Sequence, residues 1–225
     1  MTKPGPSLAL PDSLAGRRHL AWDWNGTLLD DVWLGVETIN LLLGRRGLPP
    51  LTLEDYLEHF DFPVSEYYRR IGFDFDSEPF EVMAMEFIEE YTARRFECGL
   101  HADVREALDR AREVGLSQSI LSAYHSERLR ECLDHYKLAD FFRWTVGLDD
   151  HYAASKIEAG RRWMRGHDLR PEEILLIGDT IHDHEVAEEL GVGCALIARG
   201  HQKRERLEAR GVPVFASLAE MFGLE

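Results

Sequence analysis

Lysine is scarce in this 225-residue chain: Lys3, Lys137, Lys156 and Lys203 are all there is, and none lies between Lys3 and Lys137. Positive charge as a whole is short, with 26 Lys and Arg against 41 Asp and Glu and a formal net charge of −15. That balance argues against nucleic acid or an anionic membrane as a partner, since both recruit cationic side chains. Cysteine is limited to Cys98, Cys132 and Cys194, widely spaced and without a Cys-x-x-Cys pair. Such usage points to small buried residues in a reducing, cytoplasmic compartment. No apolar run approaches membrane-spanning length, and no internal repeat or low-complexity tract is present. Residues 1 to 18 mix Pro, Gly and Ser with scattered apolar residues, lack a signal-peptide core, and read as a flexible N-terminal arm.

What is present is globular: 44% hydrophobic and 30% charged residues, in a chain long enough for one well-buried core and a smaller insertion. His19-Leu20-Ala21-Trp22 reads as a short buried strand that runs into Asp23-Trp24-Asn25-Gly26-Thr27-Leu28. Asn-Gly between apolar residues carries the signal of a two-residue hairpin. Against that, Leu28, Leu29, Val32, Leu34, Val36, Ile39, Leu42 and Leu43 keep helical spacing, and Asp30 and Asp31 suit a first helical turn. A strand-to-helix turn is the alternative, and it is where open α/β sheets place ligands.

A second segment has the same form. Ile174 to Ile177 is an all-apolar strand leading into Gly178-Asp179-Thr180-Ile181-His182-Asp183. Asp179 or Thr180 can cap the helix carrying Val186, Ala187 and Leu190, and a carboxylate at that strand end also suits Mg²⁺, which takes oxygen ligands. A third strand, Leu116 to Leu121, delivers Ser122 to its end, where a hydroxyl can donate to a phosphate oxygen. Lys156 precedes the amphipathic segment Ile157 to Met164 and can supply a point charge.

Asp-x-x-Gly-Thr-Leu, then strand-Ser, then Lys, then Gly-Asp-x-x-x-Asp, in that order from about His19 onward, resembles the haloacid dehalogenase superfamily of phosphohydrolases, in its phosphoglycolate-phosphatase-like branch. The resemblance implies that Asp23 is a nucleophile forming an aspartyl-phosphate. It implies Mg²⁺ held by Asp23, the backbone carbonyl of Asn25, and Asp179. Ser122 and Lys156, with the turn N–H groups of Trp24 and Asn25, would clamp the phosphate. Asp183 would support the metal or the lysine from behind. Phosphoryl transfer spreads charge over the equatorial oxygens, so catalysis is mostly positioning and charge stabilisation, which this set supplies.

Asn25 departs from the pattern, because phosphatases of the superfamily usually carry there a second Asp that resembles a general acid and base. Its loss is worth roughly 10²–10⁴-fold in rate. The expectation is therefore a phosphatase that favours aryl or acyl phosphates, one that recruits another acid such as His125 or His182, or a module that only holds phosphate. Transfer to an acceptor other than water is a further possibility within enzymes. Asp-Trp-x-Gly-Thr looks like phosphonoacetaldehyde hydrolases, but their Schiff-base lysine has no counterpart here. The Gly178-Asp179-Thr180 motif argues against metal-free dehalogenases.

The predicted architecture is α/β: a Rossmann-like parallel sheet with helices on both faces, spanning 19–30 and 100–225, with an inserted helical cap over 31–99. Strands are expected at Ser117 to Leu121, Trp144 to Gly147, Ile174 to Ile177, Cys194 to Ile197 and Val212 to Phe215. Within the cap, Thr52 opens one helix, Pro63 starts another at its first position, and Ser77-Glu78-Pro79 starts a long one ending before Gly99. The cap holds 15 Asp and Glu against 6 Arg, a net −9, so an anionic metabolite must be recognised locally. Eleven Phe and Tyr fall between Tyr56 and Phe96. They are read as the core of a small bundle, with a minority facing Asp23, and Tyr67, Tyr68, Arg69 and Arg70 are the candidates for substrate contact.

Overall fold

The computed structural model describes residues 14–149 and 156–224. In chain order its first half comprises β1 (His19–Trp22), β2 (Leu29–Asp30), α1 (Val32–Arg45), α2 (Leu53–His59), α3 (Val64–Arg70), α4 (Phe80–Arg94) and β3 (Gly99–Leu100). There follow α5 (Val104–Glu113), β4 (Ser117–His125), α6 (Ser126–His135), β5 (Trp144–Leu148) and α7 (Lys156–Met164). The chain ends with β6 (Ile174–Gly178), α8 (Ile181–Leu190), β7 (Gly193–Ile197), α9 (Arg204–Glu208), β8 (Val214–Phe215) and α10 (Leu218–Phe222). Six strands form one sheet in the order β5-β4-β1-β6-β7-β8, parallel throughout. The expected α/β architecture is therefore the observed one.

Burial on both faces explains why these strands read as continuous apolar runs rather than alternating ones. Leu20, Trp22, Ile120, Leu175 and Ile177 pack on one side with Val104, Leu108, Leu129, Met221 and Phe222 from α5, α6 and α10. Leu121 and Leu176 meet Val186, Ala187 and Leu190 of α8 on the other, where Ala21 also meets Trp163 of α7. Several polar groups inside this core are paired, as burial favours. Trp22 Nε1 donates to Gln118 Oε1 at 3.0 Å, and His19 lies between the Ser117 and Ser119 hydroxyls at 2.7 and 2.8 Å. Burial pushes the His19 imidazole down to about 3, so it is neutral there.

Between β2 and β3, helices α1 to α4 build a second apolar cluster from Ile39, Leu42, Leu43, Tyr56, Tyr67, Tyr68, Phe73 and Met83. Arg46 ties the end of α1 to Glu78, at 2.7 Å, and to Glu86 of α4, at 2.6 Å. Thr52 caps α2 in a reciprocal box with Asp55.

Four local expectations are corrected. Pro63 precedes α3 as its cap instead of opening it. Leu29 belongs to the β2–β3 ribbon, not to α1. The last strand is confined to Val214–Phe215. Of the expected flexible arm, residues 1–13 lie outside the described residues, but Leu14 is fully buried, and Arg17 donates to the Glu172 and Ile174 carbonyls. Two carbonyl acceptors and an apolar slot hold residues 14 to 18 to the core.

Candidate active site

Register alone gathers the motif residues. Trp22, at the end of β1, lies opposite Ile120 of β4 and Ile177 of β6, so residue 23 and the residues two beyond each partner emerge at one edge. These are Asp23, Ser122 and Asp179. The Asp23 N–H donates to the Ile177 carbonyl at 2.8 Å, extending the ladder by one bond. β4 runs on past Leu121 with a register irregularity before His125. Ser122 therefore sits inside a bent strand rather than just after a straight one, and bulges of this kind re-aim side chains near functional sites.

Lys156 opens α7 and is buried. Its ammonium lies 2.5 Å from Asp23 Oδ1 and also pairs with Asp183 Oδ1. Asp183 Oδ2 accepts from the Asp179 N–H at 3.2 Å, the Thr180 N–H at 3.0 Å and the Thr180 hydroxyl at 2.7 Å. One carboxylate thus closes the N-terminal turn of α8 and holds the lysine. Asp179 accepts from the Thr27 hydroxyl at 2.9 Å and the His201 N–H at 2.7 Å.

The turns leave no room for side chains. A Cβ at Gly178 would overlap Asp183, and one at Gly200 would overlap Asp179. Gly26 would also meet Asp179 and has φ +71, a left-handed conformation that glycine adopts without strain. The hairpin reading of Asn25-Gly26 fails because a type I′ turn needs positive φ at both central residues and Asn25 lacks it, and β1 pairs with β4 and β6, not with the β2 that follows the turn.

Three buried carboxylates, Asp23, Asp179 and Asp183, each offer an oxygen within 4.8 Å of the others. Lys156 is the lysine among them. Burial pushes the Asp23 carboxyl up to about 8, with Asp183 and Asp179 adding to the rise and Lys156 opposing it. Asp179 is pushed up to about 6, chiefly by burial. Asp183 also suffers burial, but Lys156 and the Thr180 hydrogen bonds outweigh it and hold its carboxyl below the ordinary value. Surplus negative charge on hard oxygen donors is what a divalent cation such as Mg²⁺ neutralises. The donor set fits that ion.

Beside the Asp23 turn lies a second cluster that the sequence does not announce. The Asn25 amide donates to Asp31 Oδ2 and to the Tyr91 hydroxyl, both at 2.8 Å. Tyr91 donates to Asp31 Oδ2 at 2.6 Å, and the Gly26 N–H donates to Asp31 Oδ1 at 2.7 Å. His201 faces Asp31 Oδ1 at 3.4 Å and bonds the Tyr56 hydroxyl at 2.9 Å. Burial pushes the Asp31 carboxyl up, yet His201, Tyr91 and Asn25 outweigh it and hold the carboxyl below the ordinary value. Burial likewise opposes charge on His201, but Asp31 and Asp179 raise it to about 9. Asp31 precedes α1 without a side-chain cap bond, so the acid expected to serve a helical turn instead organises the loop at Asn25 and Gly26. For His201 one signal was available: it follows β7 at the same sheet edge as the motif residues.

A cavity of about 380 Å³ opens onto this edge and is lined by Asp23, Asn25, Ser122, Lys156, Asp179 and Asp183. Tyr67 and Tyr68 line it too, as do His125 and His182. Phe62 stacks on His182 with ring centres 4.5 Å apart, and burial lowers the histidine's affinity for a proton. Arg69 and Arg70 are not brought to the cavity. Arg69 is more than half exposed, pairs with Glu66 and lies over Phe75, and Arg70 donates to the His59 carbonyl at 3.1 Å. Trp24 is fully buried against Tyr136. The three cysteines are free, two of them buried.

A family model described as haloacid dehalogenase-like hydrolase matches residues 20–197. A phosphoglycolate phosphatase of Pseudomonas putida is 24% identical over 200 residues, 85% of this chain and 73% of that protein. One from Caulobacter vibrioides is 25% identical over 206 residues, 85% of this chain and 83% of that protein. A solved haloacid dehalogenase-like family hydrolase from Streptococcus pneumoniae has a TM-score of 0.79 at 17% identity, covering 93% of this chain and 98% of its own. Strand order, motif placement and family model agree: the chain belongs to the haloacid dehalogenase-like hydrolases.

Proposed function

We propose that the protein is a Mg²⁺-dependent phosphomonoester hydrolase that works through an aspartyl-phosphate on Asp23. The observation that carries this reading is the Lys156 ammonium set between Asp23, at 2.5 Å, and Asp183, inside a buried cluster of three carboxylates. A lysine so placed binds a phosphate oxygen and holds its nucleophile at once. Lys156 engages Asp23 Oδ1, so Oδ2 is the oxygen assigned to attack phosphorus. The Ser122 hydroxyl accepts from the Tyr124 N–H at 3.1 Å, which leaves its proton for a phosphate oxygen. Asp183, with both oxygens engaged, positions Lys156 and the turn at Asp179.

The Asp23 and Asp179 carboxylates with the Asn25 carbonyl would hold Mg²⁺, whose charge offsets the repulsion between phosphate and Asp23. Helices α1 to α4 act as the cap that excludes water, and Tyr91 joins it to the nucleophile loop through Asp31 and Asn25. The Asn25 amide has no proton to give a leaving group. A phosphate-holding module without turnover is the reading that Asn25 favours.

Release of inorganic phosphate from acetyl phosphate separates the two. Turnover with Mg²⁺ that is lost in chelator and in Asp23→Asn supports the hydrolase, and phosphate release no faster than the metal-free background refutes it.

A further inference from the structure

The wall of the cavity opposite Asp23 is built for an aromatic group. Residues 31 to 92 contribute eight rings to it, among them Phe62, Tyr67, Phe80 and Phe87, together with Ile39, Val64, Ala84 and Ile88. Among the described lining residues the only Lys or Arg are Lys156 and Arg128, both from the sheet side. That wall therefore offers no cation to a carboxylate or a second phosphate. It does offer one polar point, since the Tyr67 hydroxyl is buried, belongs to a cavity-lining residue and has no hydrogen-bond partner among the described residues.

Asn25 selects in the same direction by a different route. Without an acid to protonate it, the departing oxygen must leave as an anion. A phenol ionises near pH 10, as tyrosine does, whereas an alkyl alcohol lies nearer the value of about 15.7 for water. Rings also prefer offset or edge contacts with other rings, and roughly 150 Å³ suffices for benzene in a protein cavity. About 380 Å³ accommodates a phosphate with a ring or fused pair attached.

We propose that this cavity selects aryl phosphomonoesters, with the aromatic group held against the α2–α4 wall and the phosphate directed to Asp23 and Lys156. The inference rests on the hydrolase reading for turnover but not for binding. In the reaction Asp23 Oδ2 forms a bond to phosphorus as the bond from phosphorus to the ring oxygen breaks. The phenolate leaves with the electron pair and takes its proton from water. A second water then cleaves the acyl phosphate, returning the Asp23 carboxylate and orthophosphate, and its released proton neutralises the hydroxide left by the first water.

The test uses non-hydrolysable probes, so that affinity is read apart from leaving-group chemistry. Calorimetry of the full chain with Mg²⁺ should give a Kd for 2-naphthylphosphonate at least tenfold below that for hexylphosphonate. Ala84→Phe, which fills the aryl space, should erase most of that difference, with its melting temperature recorded to confirm folding. Equal affinity for the two phosphonates overturns the aryl assignment even where acetyl phosphate is hydrolysed. Tight naphthyl binding with no turnover of phenyl or acetyl phosphate supports the pocket and refutes the hydrolase.

Discussion

Replacing Asn25 by Asp tests the chemistry of this site most directly, and the structure says what the new carboxyl would meet. The Asn25 amide nitrogen is 2.8 Å from Asp31 Oδ2, so the variant puts an acceptor against an acceptor. Two unit charges about 4 Å apart repel by about 4 kcal/mol at an effective dielectric constant of 20, equivalent to about three pKa units. The pair therefore keeps one shared proton well above the ordinary carboxyl range, with His201 at 3.4 Å from Asp31 reducing the effect. That proton is the one the wild-type amide cannot give. Turnover of an alkyl ester such as glycerol 3-phosphate should rise by roughly 10²-fold or more, with a falling limb at a pH above the range of a free aspartate. Phenyl phosphate, which needs no acid, should gain less than tenfold. Steady-state phosphate release from both substrates, measured between pH 5 and 9, decides the matter. No gain on the alkyl ester, or equal gains on both, would refute the reasoning.

Asp23→Ala should abolish hydrolysis of every substrate while leaving the far-ultraviolet dichroism intact, and activity within tenfold of the parent would contradict the nucleophile assignment. Asp179→Ala should raise the Mg²⁺ concentration needed for half-maximal rate, whereas an unchanged requirement would misplace the cation. In chelator, stability should fall as pH rises from 5 to 8. Burial pushes the Asp23 carboxyl up from 3.8 to about 8, so the native state holds a proton that the unfolded chain has lost across that window. Mg²⁺ should accordingly raise the melting temperature more at pH 8 than at pH 5, and a larger increment at pH 5 would reverse the sign of the argument. Arg69→Ala should change KM for phenyl phosphate by less than twofold, because its guanidinium pairs with Glu66 outside the cavity.

The motif residues were legible because each is announced locally, by an apolar strand that stops at a polar or glycine turn. A parallel sheet then makes their convergence a matter of register, so Asp23, Ser122 and Asp179 needed no long-range information. Lys156 was legible through scarcity. The Asp31 cluster was not, because it joins residues that no local pattern connects: Tyr91 is 60 positions from Asp31, and His201 is 145 from Tyr56. Arg69 and Arg70 show a different limit. Tyr67 and Tyr68 are buried and line the cavity, but at 100° per residue Arg69 turns to the opposite face of α3, while Arg70, back within about 60° of Tyr67, is drawn off to the His59 carbonyl. Helical periodicity could have separated the tyrosines from Arg69, whereas Arg70 is diverted by a tertiary hydrogen bond that no periodicity announces.

Gly26, Gly178 and Gly200 have a consequence for how such a site can diverge. Their missing side chains are occupied volume, filled by the carboxylates of Asp179 and Asp183, so even alanine would displace the chemistry itself. At these three positions no side chain can be added beside the carboxylates. The facing wall is made of separate rings on separate helices, where volume can be traded one residue at a time. Substrate range in this molecule is therefore free to drift from above while the reaction below stays fixed.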